Sequence, residues 1–183
     1  MRRKDREVTD INEIKAILHD SHVIHSGFRT DDYPYVVPTN FGYEFDDANQ
    51  LTLYIHGAPV GHKRDLIKQD GRMGFEIDDG GQLMTPEDPK ENTPSFAYRS
   101  VMGYGDAELV DDPAVKRHAL QALLSHETGQ SLDEFAISEK TIGYVGVIKV
   151  TVKAYTAKEH VPGNRDLNKN NCLNINSNAS MIW

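Results

Sequence analysis

The chain has 183 residues, 38 % hydrophobic and 26 % charged, with a formal net charge of −8 and a pI of about 5.4. That is enough chain for one domain with a real core, and the acidic balance argues against nucleic acid or an anionic membrane as the main partner. The single cysteine, Cys172, excludes an intrachain disulfide; no apolar run approaches the roughly 20 residues of a membrane span, and the basic N-terminus lacks the apolar stretch of a secretory signal, so the expected compartment is cytoplasmic.

In chain order, "TDINEIKAILHD" reads as a helix, with Asp10 as cap, Glu13 three residues on as in a capping box, and Ile11, Ile14, Ile17 and Leu18 on one face. "HVIHSGF" (22–28) and "YPYVVPTNF" (33–41) flank the turn-rich residues 29–32 and predict a hairpin. "LTLYIH" (51–56) alternates, with Leu51, Leu53 and Ile55 on one face and Thr52, Tyr54 and His56 on the other. "RMGFEIDD" (72–79) alternates likewise. A polar, proline-containing loop follows it, then a long strand (96–110) with Gly103 and Gly105 at its middle, where glycines mark a bend or barrel corner. "DDPAVKRHALQALLSHETG" predicts a helix capped by Asp112, begun at Pro113 and stopped at Gly129. "SLDEFAISEK" predicts a short helix and "TIGYVGVIKVTVKAY" (141–155) the last strand. From Pro162 on, seven asparagines and little apolar periodicity predict an extended or partner-draping tail. The fold class is mainly β: about six antiparallel strands, closing toward a barrel, with flanking helices in one domain (1–160) and a tail (161–183).

Three stretches carry candidate chemistry. In "LTLYIHGAPVGHKRDLI", His56 ends a strand, and Gly61, His62, Lys63 and Arg64 lie at an expected helix start. Free N–H groups at a helix start beside cationic side chains suit a phosphate; an ordinary strand–turn–helix with solvated charges is the plain alternative. In "YPYVVPTNFGYE", Pro38 leaves a gap in the strand ladder, and Thr39 and Asn40 follow with polar groups that suit a planar heterocycle; an edge strand protected by proline fits equally well. In "FAYRSV", Arg99 beside Ser100 can reach an anion or pair with an acidic neighbour. No pair of the eight histidines has a recognised metal spacing, His118 and His126 read as surface residues of their helix, and no zinc, Walker or dinucleotide motif is present. The sequon at Asn178 reads as chance.

Taken in order, "MRRKDREVTD", "IKAIL", "YPYVVPTNFGYE", "LYIHGAPVGHKRDLI", "MGFEID" and "YRSVMGYGDAELV" resemble the nitroimidazole-resistance (NimA-like) branch of the pyridoxamine 5′-phosphate oxidase-like proteins over roughly residues 1–155. The resemblance implies a six-stranded antiparallel split barrel binding FMN at the interface of a homodimer. By position, it places Pro38, Thr39 and Asn40 along the isoalloxazine ring, and Gly61, His62 and Lys63 at the phosphate. It sets Arg99 and Ser100 on the adjacent strand and His56 close to flavin and substrate. The implied activity is electron transfer from reduced flavin to a small, nitroaromatic-type acceptor. Alternative readings are a haem-binding or haem-degrading split barrel and a non-catalytic flavin-binding module. A deazaflavin user ranks below both, because Lys63 and Arg64 offer little basic surface for an acidic tail.

Overall fold

The computed structural model describes residues 3–85 and 94–161. The elements in chain order begin with a 3-10 turn at Lys4–Arg6, β1 (Glu7–Val8), α1 (Ile11–Asp20), β2 (Ile24–Phe28) and β3 (Tyr35–Thr39). There follow β4 (Gly42–Phe45), β5 (Leu51–Gly57), α2 (His62–Gln69), β6 (Arg72–Asp78), β7 (Gln82–Met84) and β8 (Ser95–Val110). The chain then forms α3 (Pro113–Thr128), a 3-10 turn at Leu132–Glu134, α4 (Glu139–Tyr144) and β9 (Gly146–His160). The strands pair antiparallel in the order β3-β2-β6-β8-β9-β5-β4, with β1 on β9 and β7 on β8. The path stays open between its ends at β3 and β4, so the fold is a split barrel with nine strands among the described residues rather than about six.

Local chemistry accounts for the element ends. Asp10 accepts from the N–H groups of Asn12 and Glu13, and Asp112 from those of Ala114 and Val115. Each satisfies two of the donors that a helix start leaves open. Gly129, with φ +70°, closes α3 in the left-handed conformation. The predicted hairpin forms, with Phe28 opposite Tyr35 and Ile24 opposite Thr39. The last strand begins later than its composition predicts. Residues 141–144 belong to α4, which Ser138 caps at the N–H of Thr141, and the Val/Ile-rich run becomes strand only from Gly146. The tail from Pro162 lies outside the described residues.

The core has two parts. Ile17, Leu18, Ile24, Phe41, Leu51, Leu53, Ile55, Met73, Ile77 and Val101 fill the barrel between α1 and the sheet. Each such side chain removed from water contributes about 1.5–3 kcal/mol. The second part lies under α3, where Leu120 and Leu123 pack with Tyr54, Val110, Ile142 and Val147. The alternation in β5 predicts an amphipathic face at Thr52, Tyr54 and His56, but Tyr54 is 2 % exposed. α3 covers that face, and the Tyr54 hydroxyl donates to Glu44, which also holds His118.

His126 is likewise no surface residue. Its ring packs on Phe41 and Tyr43, and its nitrogens face the carbonyls of Phe41 and Leu18 at 2.7 and 3.0 Å. The closest approach of helix to strand falls at Gly42, where a Cβ would meet the Leu123 nitrogen at 2.5 Å and the Ala122 carbonyl carbon at 2.7 Å. Gly42→Ala is expected to lower stability by about 1–3 kcal/mol, because the obstacle is helix backbone; urea unfolding measures it.

Candidate functional site

The turn after β5 forms because Gly57, Pro59 and Gly61 interrupt the strand and α2 starts at once. Gly61 occupies the cap position with φ +139° and ψ 164°, a backbone conformation that side chains rarely adopt. No side chain caps the helix, and a Cβ at Gly61 would meet nothing within 4 Å. The Arg64 and Asp65 N–H groups donate to the Gly61 carbonyl, which leaves those of His62 and Lys63 without a partner among the described residues. This is the local arrangement in which a helix start receives an anion.

The cations of this segment divide their work. Lys63 is half-buried, its ammonium standing 3.5 Å from where a Cβ of Gly57 would lie. Burial and the neighbouring Arg64 lower its pKa, so binding an anion would relieve an existing strain. Arg64 turns inward. It is 8 % exposed and its guanidinium donates to the Val147 carbonyl. It thus ties α2 to the start of β9 and is not the second phosphate cation the sequence suggests.

His56 is half-buried at the end of β5, opposite Val147. Burial lowers its pKa first and Lys63 second, while Glu127 acts in the opposite sense. The imidazole is therefore neutral at pH 7. The same environment makes His56 a source of acid sensitivity. Its pKa is lower folded than unfolded, so its stabilising contribution is complete above the ordinary 6.5 and is lost as pH falls through the folded value.

Glu127, in the last turn of α3, accepts from Asn40 Nδ2 at 3.4 Å and lies 3.2 Å from His22 Nδ1. Asn40 also donates to the His22 carbonyl at 3.1 Å. Sequence reasoning passes over Glu127, yet one signal marks it. A carboxylate at a helix C-terminus opposes the helix dipole and needs another reason to be there. Tyr35 is the other unforeseen neighbour: its ring meets that of His62 edge-on, centroids 4.8 Å apart. The structure therefore links His56 with Lys63 and Glu127, and Glu127 with Asn40, while His62 stands by Tyr35 at the other end of β3.

Pro38 and Thr39 lie on β3, an edge strand, as a proline in the ladder requires. Thr39 Oγ1 is buried and has no partner among the described residues.

Arg99 and Ser100 are not part of this group. Along β8, Arg99 is eleven residues from Val110, which pairs with Val147 and through it with His56. That is about 36 Å of strand. Arg99 is also engaged: its Nε donates to Asp79 at 2.7 Å and its Nη2 to Asp20 at 3.0 Å, which together raise its pKa. It borders a cavity of about 270 Å³ with Tyr98, His160 and Gln82. Ser100 is 4 % exposed, opposite Asp78 and Lys158.

Comparison with known proteins follows this geometry. The profile of the pyridoxamine 5′-phosphate oxidase family matches residues 10–159. A candidate 5-nitroimidazole antibiotic resistance protein from Bacteroides thetaiotaomicron is 30 % identical and superposes with a TM-score of 0.70, over 84 % of this chain and 86 % of that one. A flavocytochrome from Azotobacter vinelandii has 22 % identity and a TM-score of 0.73, over 92 % and 76 %. An FAD- and haem-binding protein from Mycobacterium smegmatis has 18 % identity and a TM-score of 0.72, over 90 % and 78 %. No curated protein matches the chain. No helix among the described residues is long and apolar enough to cross a membrane.

The electrostatics around His56 are open to direct measurement. In an NMR titration, Lys63→Met is expected to raise the His56 pKa and Glu127→Gln to lower it further. An unmoved His56 in both variants would mean that neither charge is its neighbour.

Proposed function

The chain belongs to the pyridoxamine 5′-phosphate oxidase family, in its NimA-like branch, and from that premise we propose that it is a flavin-dependent oxidoreductase that uses FMN and reduces a small, nitroaromatic-type acceptor. The observation that carries this reading is the uncapped start of α2 at Gly61, with the half-buried ammonium of Lys63 beside it. A donor set of backbone N–H groups and one lysine suits a single terminal phosphate. The buried Thr39 Oγ1, without a partner among the described residues, adds a polar group on the strand expected to flank a planar ring. The residues present therefore fit FMN.

Bound flavin, once reduced, would supply the electrons for the reaction. The chain's own residues do the rest. Gly61, His62 and Lys63 hold the phosphate, with Lys63 as the charge partner. Pro38, Thr39 and Asn40 border the ring, and Glu127 fixes Asn40 through its side-chain amide. His56 is neutral at pH 7 and can orient an acceptor through a hydrogen bond from its ring N–H.

Arg99 and Ser100 reach such a site only from a second copy of the chain, since their own sheet separates them from Lys63. A homodimer is part of the proposal for that reason. The sheet face opposite the core supports it. Val36 and Tyr104 stand 58 % and 61 % exposed there beside Met102, and Gly27 and Gly74 keep the face between them low. Apolar surface of this kind is characteristic of a protein contact.

The test is the cofactor that co-purifies. A flavin spectrum with bands at about 375 and 450 nm and the mass of FMN is expected, whereas a haem Soret band would overturn the reading. Lys63→Ala is expected to weaken FMN binding by about 10- to 100-fold, the loss of one charge-assisted contact. His56→Ala is expected to slow turnover of a nitroaromatic acceptor by about 100-fold or more with flavin retained. A flavin that no acceptor reoxidises would identify a binding module instead.

A further inference from the structure

The face of the sheet opposite the core carries a cluster of three polar side chains that the proposed flavin chemistry leaves without a task. His25 on β2 stands directly across from Glu76 on β6, and Asp78 lies two residues further along β6 on the same face. One ligand atom from each of the three lies within 4.8 Å of the others. His25 Nδ1 is 3.3 Å from Glu76 Oε2, yet this buried nitrogen makes no hydrogen bond among the described residues. Neither carboxylate has a lysine or arginine partner among them.

We propose that His25, Glu76 and Asp78 form a binding site for a divalent transition-metal cation of the zinc class. Two ligands of one tetrahedral ion, each about 2.0–2.1 Å from it, stand about 3.3–3.4 Å apart. The His25–Glu76 separation already has that value. An imidazole with two carboxylates favours zinc, manganese or iron(II) over calcium and magnesium, which select oxygen ligands alone. Three protein ligands leave coordination positions open. Gly27 and Gly74, which pair in the next row of the face, leave room for them.

The charges point the same way. Glu76 and Asp78 set two carboxylates side by side on one face of β6. Two like charges side by side are what a divalent cation neutralises. If a second copy covers this face, as the proposed function has it, the two carboxylates would otherwise enter the interface without a lysine or arginine partner among the described residues. That last argument rests on the homodimer; the ligand geometry does not.

The test is equilibrium dialysis of untagged, chelator-treated protein against Zn2+ with metal analysis, on wild type, His25→Ala, Glu76→Gln and the distant control His118→Ala. One ion per chain is expected in wild type and control, with affinity at least about tenfold weaker in the other two. With Co2+ as the probe, wild type should show a visible absorption band that His25→Ala lacks. Circular dichroism checks each fold, and Asp78→Asn carries the test if His25→Ala does not fold. Absence of bound metal in wild type, or retention of it in the ligand variants, overturns the proposal. Flavin content and gel-filtration mass are read on the same samples. A flavin-loaded dimer without metal overturns this site alone, and a metal-loaded monomer without flavin overturns the proposed function alone.

Discussion

The pairing of β8 with β9 is the constraint on which the rest of the structure depends. Thirteen register pairs, from Tyr98 opposite His160 to Val110 opposite Val147, make one long antiparallel ribbon. β6, β2 and β3 extend the sheet from β8, and β5 and β4 extend it from β9. A ribbon this long must bend to wrap a core. It does so at the irregularity between Tyr104 and Gly105, where the register shifts. Gly103 and Gly105 lie so close to the β9 backbone that a Cβ at either would strike the carbonyl of Ala154 or Thr151. The two mid-strand glycines are a steric requirement of the bend.

Bending the ribbon separates its ends, and that separation organises the functional surface. One end meets β5 and places His56 beside α2 and the last turn of α3. The other meets β1 and holds Arg99 between Asp79 and Asp20. The helices then decide which polar groups remain available. Arg64 turns into the protein to secure α2, whereas Lys63 stays half-buried with no acidic partner among the described residues. In a chain with net charge −8, this leaves a local cation beside a helix start that no side chain caps.

Much of the fold is legible in the residues themselves. The caps Asp10 and Asp112, the stop at Gly129, the hairpin turn at 29–32 and the alternation in β5 and β6 are short-range signals, and each corresponds to an observed element. Legibility fails where a distant element intervenes. The face of β5 that carries Tyr54 reads as amphipathic because α3 supplies the apolar cover from more than fifty residues away. His126 reads as exposed because the carbonyls of Phe41 and Leu18 come from other parts of the chain. The run from Thr141 reads as strand because Val and Ile favour one, yet a Ser138 cap holds its first turn as helix.

The sequence by itself carried the family resemblance in the order of its motifs, and it gave the antiparallel class and the candidate anion stretch at Gly61–Lys63 because glycine conformation, helix starts and strand period are properties of adjacent residues. Only the tertiary structure decided which cations are free, since Arg64 and Arg99 bond to groups 83 and 20 positions away. It also decided that Glu127 and Asn40 stand by His56 while Arg99 and Ser100 do not, and that His25, Glu76 and Asp78 converge on one face. Strand register joins those residues, and register follows from the packing of the whole sheet against its core.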